Sequence, residues 1–390
     1  MDTPEAGTPE QIRPYTVDVP QDALDDLTER LSRVRWAEEL PASELVDLAA
    51  SGPVQPGWQY GVPGAFVRPL VERWRTDFDW RAAEARLNAH PQFTTVIDGQ
   101  RIHFIHVRSN ESDALPLVLT HGWPNSVVEY LDLISPLTDP VGHGGAAADA
   151  FDVVVPSLPG FGFSGPTHER GWNRYRVAHA WVTLMERLGY DRFGAHGNDA
   201  GALVSPEVGR AAPDRVVGVH VTQLFSFPTG DPAEFDGLTA EEVQKLQFLQ
   251  TFNDEMSAYA HLQGTAPQNV AHALADSPVG QLAWSAQLLA ATSEEHLLTN
   301  ASLYWLTNTA ASAARFYYED RHTEPPSEPT TVATGLASFA NDFTPLRRFA
   351  DRDHAAIVSW NEYDRGGHWA TQDAPDLLLD DIRTFYRGLR

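Results

Sequence analysis

The chain has 390 residues, 42% of them hydrophobic and 21% charged, and a formal net charge of −25 with a pI near 4.8. That length fits one large domain with an insertion, or two domains, and that composition can bury a core, so disorder is excluded as the main state. The acidic surface repels phosphate backbones and anionic lipid, which argues against nucleic-acid and membrane-surface partners; with no cysteine and a single lysine, Lys245, disulfides, thiolate metal sites and cysteine nucleophiles are excluded as well.

The N-terminus, MDTPEAGTPEQ, is acidic and polar, unlike a signal peptide, and no apolar run approaches the ~20 residues that span a bilayer. The expected location is the cytoplasm. Pro20 opens a helical pattern through Leu24, Leu27, Leu31 and Val34 that should end near Trp36. A turn-rich loop follows at 51–64, then a helix through Phe66, Leu70 and Trp74 and a short one over 80–87. Residues 1–92 therefore read as a helical N-terminal segment wrapping the rest.

At Phe93 the hydrophobic period changes to two. FTTVID and RIHFIHV are joined by Asp98-Gly99, a pair that tolerates the positive φ of a hairpin turn. Short buried strands follow at 115–120 and 151–157. A helix through Val177, Trp181, Leu184 and Leu188 comes next, then a strand at 193–196, a helix from Ala200 and a strand at 216–222. Strands alternating with helices imply an α/β fold with a mostly parallel sheet and helices on both faces. Residues 226–327 read as helices, after which strands resume at 330–336 and 355–360 and a helix through Leu377, Ile382 and Phe385 closes the chain. The expected organisation is a core of 93–225 and 328–390 with a helical cap at 226–327 over the sheet edge where open α/β sheets bind ligands.

Gly197-Asn198-Asp199-Ala200-Gly201 follows a strand and opens a helix. This is the small-x-nucleophile-x-small elbow of α/β-hydrolases, with aspartate at its centre in place of serine. The competing role for Asp199 is that of a helix cap. His121-Gly122-Trp123-Pro124 follows the strand at 115–120, where this fold draws one oxyanion-hole N–H; Trp123 and Ala200 are the expected backbone donors. The Trp123-Pro124 bond is open to either isomer. Chain order then places His368 in RGGHW as the base and Asp342 in FANDF as the orienting carboxylate, with Glu362 and Asp364 as rivals on the same loop and a helix cap before Pro345 as the other role for Asp342. A carboxylate attacking an sp³ carbon forms an ester whose carbonyl belongs to the enzyme, and water can then hydrolyse it. Halide and epoxide oxygen both suit this scheme as leaving groups. Halide wants N–H donors, whereas an alkoxide wants an acid such as Tyr259, Tyr304, Tyr317 or Tyr318 in the cap.

The chain resembles the microsomal-type epoxide hydrolases along nearly its whole length. The matching motifs are Trp74, DFDWR, Leu87-Asn88, IDG…IHFIHV, HGWP, PSLPGFGFSGP, GNDAG, ALADSPVG, LYW…RFYYE and RGGH. The resemblance implies Asp199 as nucleophile, Asp342 as charge-relay acid and His368 as base. It implies Tyr259 and Tyr317 as the cap phenols, with Tyr318 competing for the second place and Tyr304 left to helix packing. No metal or organic cofactor is implied, and the partners are a small-molecule epoxide and water. Asn198 and Ala200 depart from the residues many relatives carry beside the nucleophile, and the anchor of the membrane-bound members is not seen. Some soluble actinobacterial relatives open epoxides in natural-product pathways, enediyne antibiotics included, and the arginine-rich composition is compatible with that. A haloalkane dehalogenase and a non-catalytic binding protein on the same fold stand as alternatives. Homodimerisation is an expectation from size alone.

Overall fold

The computed structural model describes residues 10–41 and 57–390. Residues 1–9, most of the acidic stretch read as unlike a signal peptide, and residues 51–56 of the expected loop lie outside the described residues. Nine strands form one sheet in the order β1-β2-β3-β5-β4-β6-β7-β8-β9. They are β1 (Arg13–Tyr15), β2 (Gln92–Ile97), β3 (Gln100–Val107), β4 (Leu115–Thr120), β5 (Phe151–Pro156), β6 (Phe193–Gly197), β7 (Val216–Val221), β8 (Thr334–Asn341) and β9 (Ile357–Gly367). The β1–β2, β2–β3 and β3–β5 pairings are antiparallel, and all pairings from β5 through β4 to β9 are parallel. The hairpin turns at Asp98 (φ 50°) and Gly99 (φ 74°), as that dipeptide dictates.

The central strands are apolar on both faces because helices cover both. Leu117, Val118 and Leu119 are fully buried, as are Val153, Val154 and Val155. The helices Arg174–Arg187 and Ala200–Ala211 pack together on one face. The C-terminal helix, Pro375–Arg387, covers the other, where Tyr386 donates to the Ala195 carbonyl at 2.8 Å.

Between β7 and β8 the chain leaves the sheet and forms helices at Ala240–Thr251, Ala258–Thr265, Pro267–Asp276, Pro278–Leu289, Glu294–Thr307 and Ala310–Arg321. The PGFGFSG run (159–165) receives them. Gly160, Gly162 and Gly165 take positive φ, Ser312 donates to the Gly160 carbonyl, and Gly162 N–H donates to Thr309 at 3.1 Å. The N-terminal helices Gln21–Ser32 and Gly64–Thr76 bury Leu27, Leu31, Leu70 and Val71 against cap residues Leu282, Leu289, Leu297 and Leu298. Trp74 adds a buried bond from its indole N–H to Ser302 at 2.8 Å.

Several expected boundaries move. The first helix stops at Ser32, four residues short of Trp36. β1 was not anticipated, because three residues carry no period and are defined only by pairing to β2. β8 and β9 run on through Asn341 and Gly367, well past the apolar stretches that announce them. Glu362 and Asp364 therefore lie on a strand and not on the loop expected for them. Among the described residues no helix is long and apolar enough to cross a membrane.

Candidate active site

β6 delivers the chain to a turn so tight that side chains are excluded around it. A Cβ on Gly197 would meet the Gly201 carbonyl oxygen at 2.0 Å, and one on Gly201 would meet the Thr120 carbonyl oxygen at 1.8 Å. Asp199 at the tip is held at φ 53°, ψ −119°, a conformation that costs a non-glycine residue on the order of 1–3 kcal/mol. It stands where a helix cap would stand, yet its carboxylate makes no capping bond. The strained turn presents the side chain instead.

Both carboxylate oxygens of Asp199 are engaged. Oδ1 accepts from the backbone N–H of Trp123 at 2.8 Å, and Oδ2 lies 3.3 Å from Nε2 of His368. Gly122 allows this approach, since a Cβ there would lie 2.3 Å from the Asp199 side chain. The Trp123-Pro124 peptide bond is cis. Ala200 is the first residue of the helix after the elbow, so helix geometry leaves its N–H without an intrahelical acceptor.

On the far side of the imidazole, His368 Nδ1 is 2.8 Å from Oδ1 of Asp342. Asp342 follows β8 and precedes the helix Arg347–Asp353, whose cap position belongs to Leu346, so it does not serve as that cap. Burial would lower the pKa of His368, but Asp342 and Asp199 outweigh it and hold the imidazole well above its ordinary value. The ring remains 27% exposed, so water can reach it.

The helices between β7 and β8 bring aromatic rings to Trp123. Tyr259 stacks on Trp123 with centroids 5.4 Å apart, and Tyr317 meets both rings edge-on, at 5.8 Å from Trp123 and 6.3 Å from Tyr259. Burial, reinforced by the Asp199 carboxylate, pushes the pKa of each phenol above the ordinary tyrosine value, which keeps both protonated as donors. Tyr318 points elsewhere: it is 38% exposed and stacks on His322. Tyr304 is buried and donates to the Asn125 carbonyl at 2.8 Å, a packing role. Glu362 accepts from the Trp360 indole at 3.1 Å and lies 3.6 Å from the Lys245 amine.

Two polar residues in this site escaped the sequence reading. Gln223 accepts from the Asp199 backbone N–H at 2.9 Å and donates to Oδ2 of Asp342 and, at 2.8 Å, to Asn198. Glu129, deeply buried, accepts from the side-chain amide of Asn198 at 2.9 Å. Gln223 lies two residues past β7, at the sheet edge where ligands bind, and that position was its only signal.

A carboxylate-tipped elbow on a mostly parallel sheet, roofed by a helical insertion, makes this an α/β-hydrolase. The family described as "Epoxide hydrolase N terminus" matches residues 12–130, and the "alpha/beta hydrolase fold" family matches residues 116–326. The chain belongs to the microsomal-type epoxide hydrolases. It is 43% identical to a protein of Stigmatella aurantiaca named "Putative epoxide hydrolase", over 97% of this chain and 86% of that one. It is 32% identical to epoxide hydrolase 1 of Sus scrofa, over 98% and 90%. The structure of Aspergillus niger epoxide hydrolase superposes with a TM-score of 0.83 at 29% identity, covering 97% of each chain.

Proposed function

We propose that Asp199 is the nucleophile of an epoxide hydrolase and that the reaction passes through an ester on its side chain. The observation that carries this reading is the double engagement of Asp199, by Trp123 N–H on one oxygen and by His368 on the other, beneath two protonated cap phenols. Tyr259 and Tyr317 bind the ring oxygen and protonate it as the C–O bond breaks, while a carboxylate oxygen bonds to the ring carbon. His368, oriented by Asp342, takes a proton from water as the water attacks Cγ of Asp199. The N–H groups of Trp123 and Ala200 hold the oxyanion on Asp199 itself. Collapse of that intermediate, with the imidazolium proton passing to the departing alkoxide and the new carboxyl proton returning to the phenolate, releases a vicinal diol and regenerates the carboxylate. Esterification also removes the Asp199 charge that holds the His368 pKa up, so the imidazole becomes available as a base when water must be activated.

The residue pattern favours an epoxide over a halide. The indole of Trp284, 6.5 Å from Trp123, gives its N–H to Gln263 at 3.3 Å, while the two phenols stand as acids. An aryl or natural-product epoxide suits the cluster of aromatic rings that Trp123 forms with Tyr259, Tyr317 and Trp284. The deciding experiment is diol formation from styrene oxide, resolved by chiral chromatography, with Asp199→Ala as the blank. Diol from the wild type alone supports the reading. Diol from both proteins, or chloride release from a chloroalkane that survives Tyr259→Phe plus Tyr317→Phe, removes it.

A further inference from the structure

The hydrogen bonds around Asp199 form a path that leaves the Trp123 segment and returns to it. From Trp123 N–H the path runs through the Asp199 carboxylate to His368, to Asp342, to Gln223 and to Asn198. Asn198 then donates to Oε1 of Glu129, which stands six residues past Trp123 on the same segment, in the turn Val127–Tyr130. Glu129 thus joins the loop bearing one oxyanion donor to the elbow bearing the nucleophile. It is 1% exposed, makes no salt bridge among the described residues, and its Oε2 has no hydrogen-bond partner. A buried carboxylate in that position would be left largely uncompensated.

We propose that Glu129 is a positioning residue for ester hydrolysis, an uncharged acid that fixes the spacing between the Trp123 loop and the Asp199 elbow through Asn198. This rests on the reading of Asp199 as nucleophile given above. Burial pushes the carboxyl up to about 8; the Asn198 amide pulls it part of the way back, the Asp199 carboxylate pushes it up again, and the Gly122 N–H and the His368 charge lower it by less. The spacing bears unequally on the two half-reactions. During alkylation Asp199 loses negative charge, so tight donation to its oxygen is of little help. During hydrolysis charge builds on that oxygen, and the Trp123 and Ala200 donors must stand where the oxyanion forms. A negative charge on Glu129 would oppose it.

The test follows the ester by rapid quench and intact-protein mass with styrene oxide, in wild type, Glu129→Leu, Glu129→Gln and Asn198→Ser. In Glu129→Leu and Asn198→Ser the ester is expected to form within about threefold of the wild-type rate but to hydrolyse roughly 10- to 100-fold more slowly, so that it accumulates. Glu129→Gln keeps the shape and the neutral acceptor, and its ester lifetime should stay within about threefold of wild type. Asn198→Ser breaks the same bond from the other side and carries the test if Glu129→Leu does not fold. Wild-type ester lifetimes in both Glu129→Leu and Asn198→Ser would overturn the proposal, as would a Glu129→Gln as slow as Glu129→Leu. Failure of the underlying reading looks different: His368→Gln would then trap no ester at all.

Discussion

Trp123 touches two parts of the site at once: its backbone N–H donates to Oδ1 of Asp199 at 2.8 Å, and its indole stacks on Tyr259 with centroids 5.4 Å apart. One residue thereby sets the height of the Asp199 carboxylate and the place of one phenol. If Asp199 is esterified in turnover, a single turnover in ¹⁸O-water should leave the new diol oxygen unlabelled and the label on Asp199. Asp199→Ala should give no diol, and His368→Gln should trap the ester, seen as an intact-mass increase equal to the epoxide. Label entering the diol directly in the first turnover would mean that water attacks the epoxide without the enzyme ester.

Much of this site is legible in the residues because the elbow and the HGWP loop are local features. Gly197 and Gly201 are demanded by backbone atoms within 2.0 Å of any Cβ, and that demand is written as a five-residue pattern. The parallel sheet is legible for a similar reason, since doubly covered strands must be continuously apolar. Gln223 and Glu129 were not legible. Each gains its meaning from partners 24 to 119 residues away, and nothing near either one in the chain distinguishes it from an ordinary polar residue. The ends of β8 and β9 were hidden because polar residues such as Asn341 and Glu362 continue the pairing beyond the apolar stretch.

Tyr259 and Tyr317 should act together on the ring oxygen. Either phenylalanine substitution alone is expected to lower kcat/KM roughly tenfold, and the pair by roughly 10² to 10⁴, within the range for general acid catalysis. The loss should fall on ester formation, so rapid-quench amplitudes separate it from a defect in hydrolysis. A double variant that alkylates at the wild-type rate would deny both phenols the role.

The charge on Asp199 should be visible at His368. Burial lowers the imidazole pKa, and Asp342 and Asp199 raise it by more. Replacing Asp199 with Asn removes one of the two carboxylate charges and mimics the neutral ester. The His368 titration, followed by NMR of ring-labelled histidine, should then move down, because one of the two charges that raise it is gone. An unmoved titration would mean that Asp342 alone sets the basicity of His368, and that ester formation does not release the base.

Two glycine substitutions should separate stability from chemistry. The Cβ of Gly201→Ala would lie 1.8 Å from the Thr120 carbonyl oxygen, a backbone atom of a central strand. That variant is expected to lose about 2–3 kcal/mol of stability or more, read from urea unfolding. The Cβ of Gly122→Ala would lie 2.3 Å from Cβ and Oδ1 of Asp199, so it displaces that carboxylate. It should fold and lose most of its turnover. Equal stability losses in the two would show that the Gly122 loop has as little freedom to move as the strand.

Acid stability should decline before most carboxylates titrate. His121 is fully buried; its Nδ1 lies 2.9 Å from the Gly122 carbonyl oxygen, and its Nε2 accepts from Leu158 N–H at 3.2 Å. Both nitrogens are used by the neutral ring, and a second proton would face an N–H. Burial lowers its pKa to about 4; burial likewise lowers His103 to about 3 and His296 and His354 to about 4. The unfolded chain takes up these protons first as pH drops below about 6.5, so the stability is complete above that value and is lost as pH falls toward the folded pKa values. By pH 5 each histidine should cost about 2 kcal/mol, at about 1.4 kcal/mol per unit. Glu129, which burial raises to about 8, and His368, which its two carboxylate neighbours raise against burial, work the other way, but burial also lowers His106 to about 4 and His196 well below the ordinary value, so the lowered histidines outnumber them. Urea unfolding at pH 7 and pH 5 should therefore show a marked loss at pH 5, and His121→Gln, weaker at pH 7, should lose less between the two. A midpoint that does not change from pH 7 to pH 5 would mean that these rings take up protons in the folded protein as readily as in the unfolded chain.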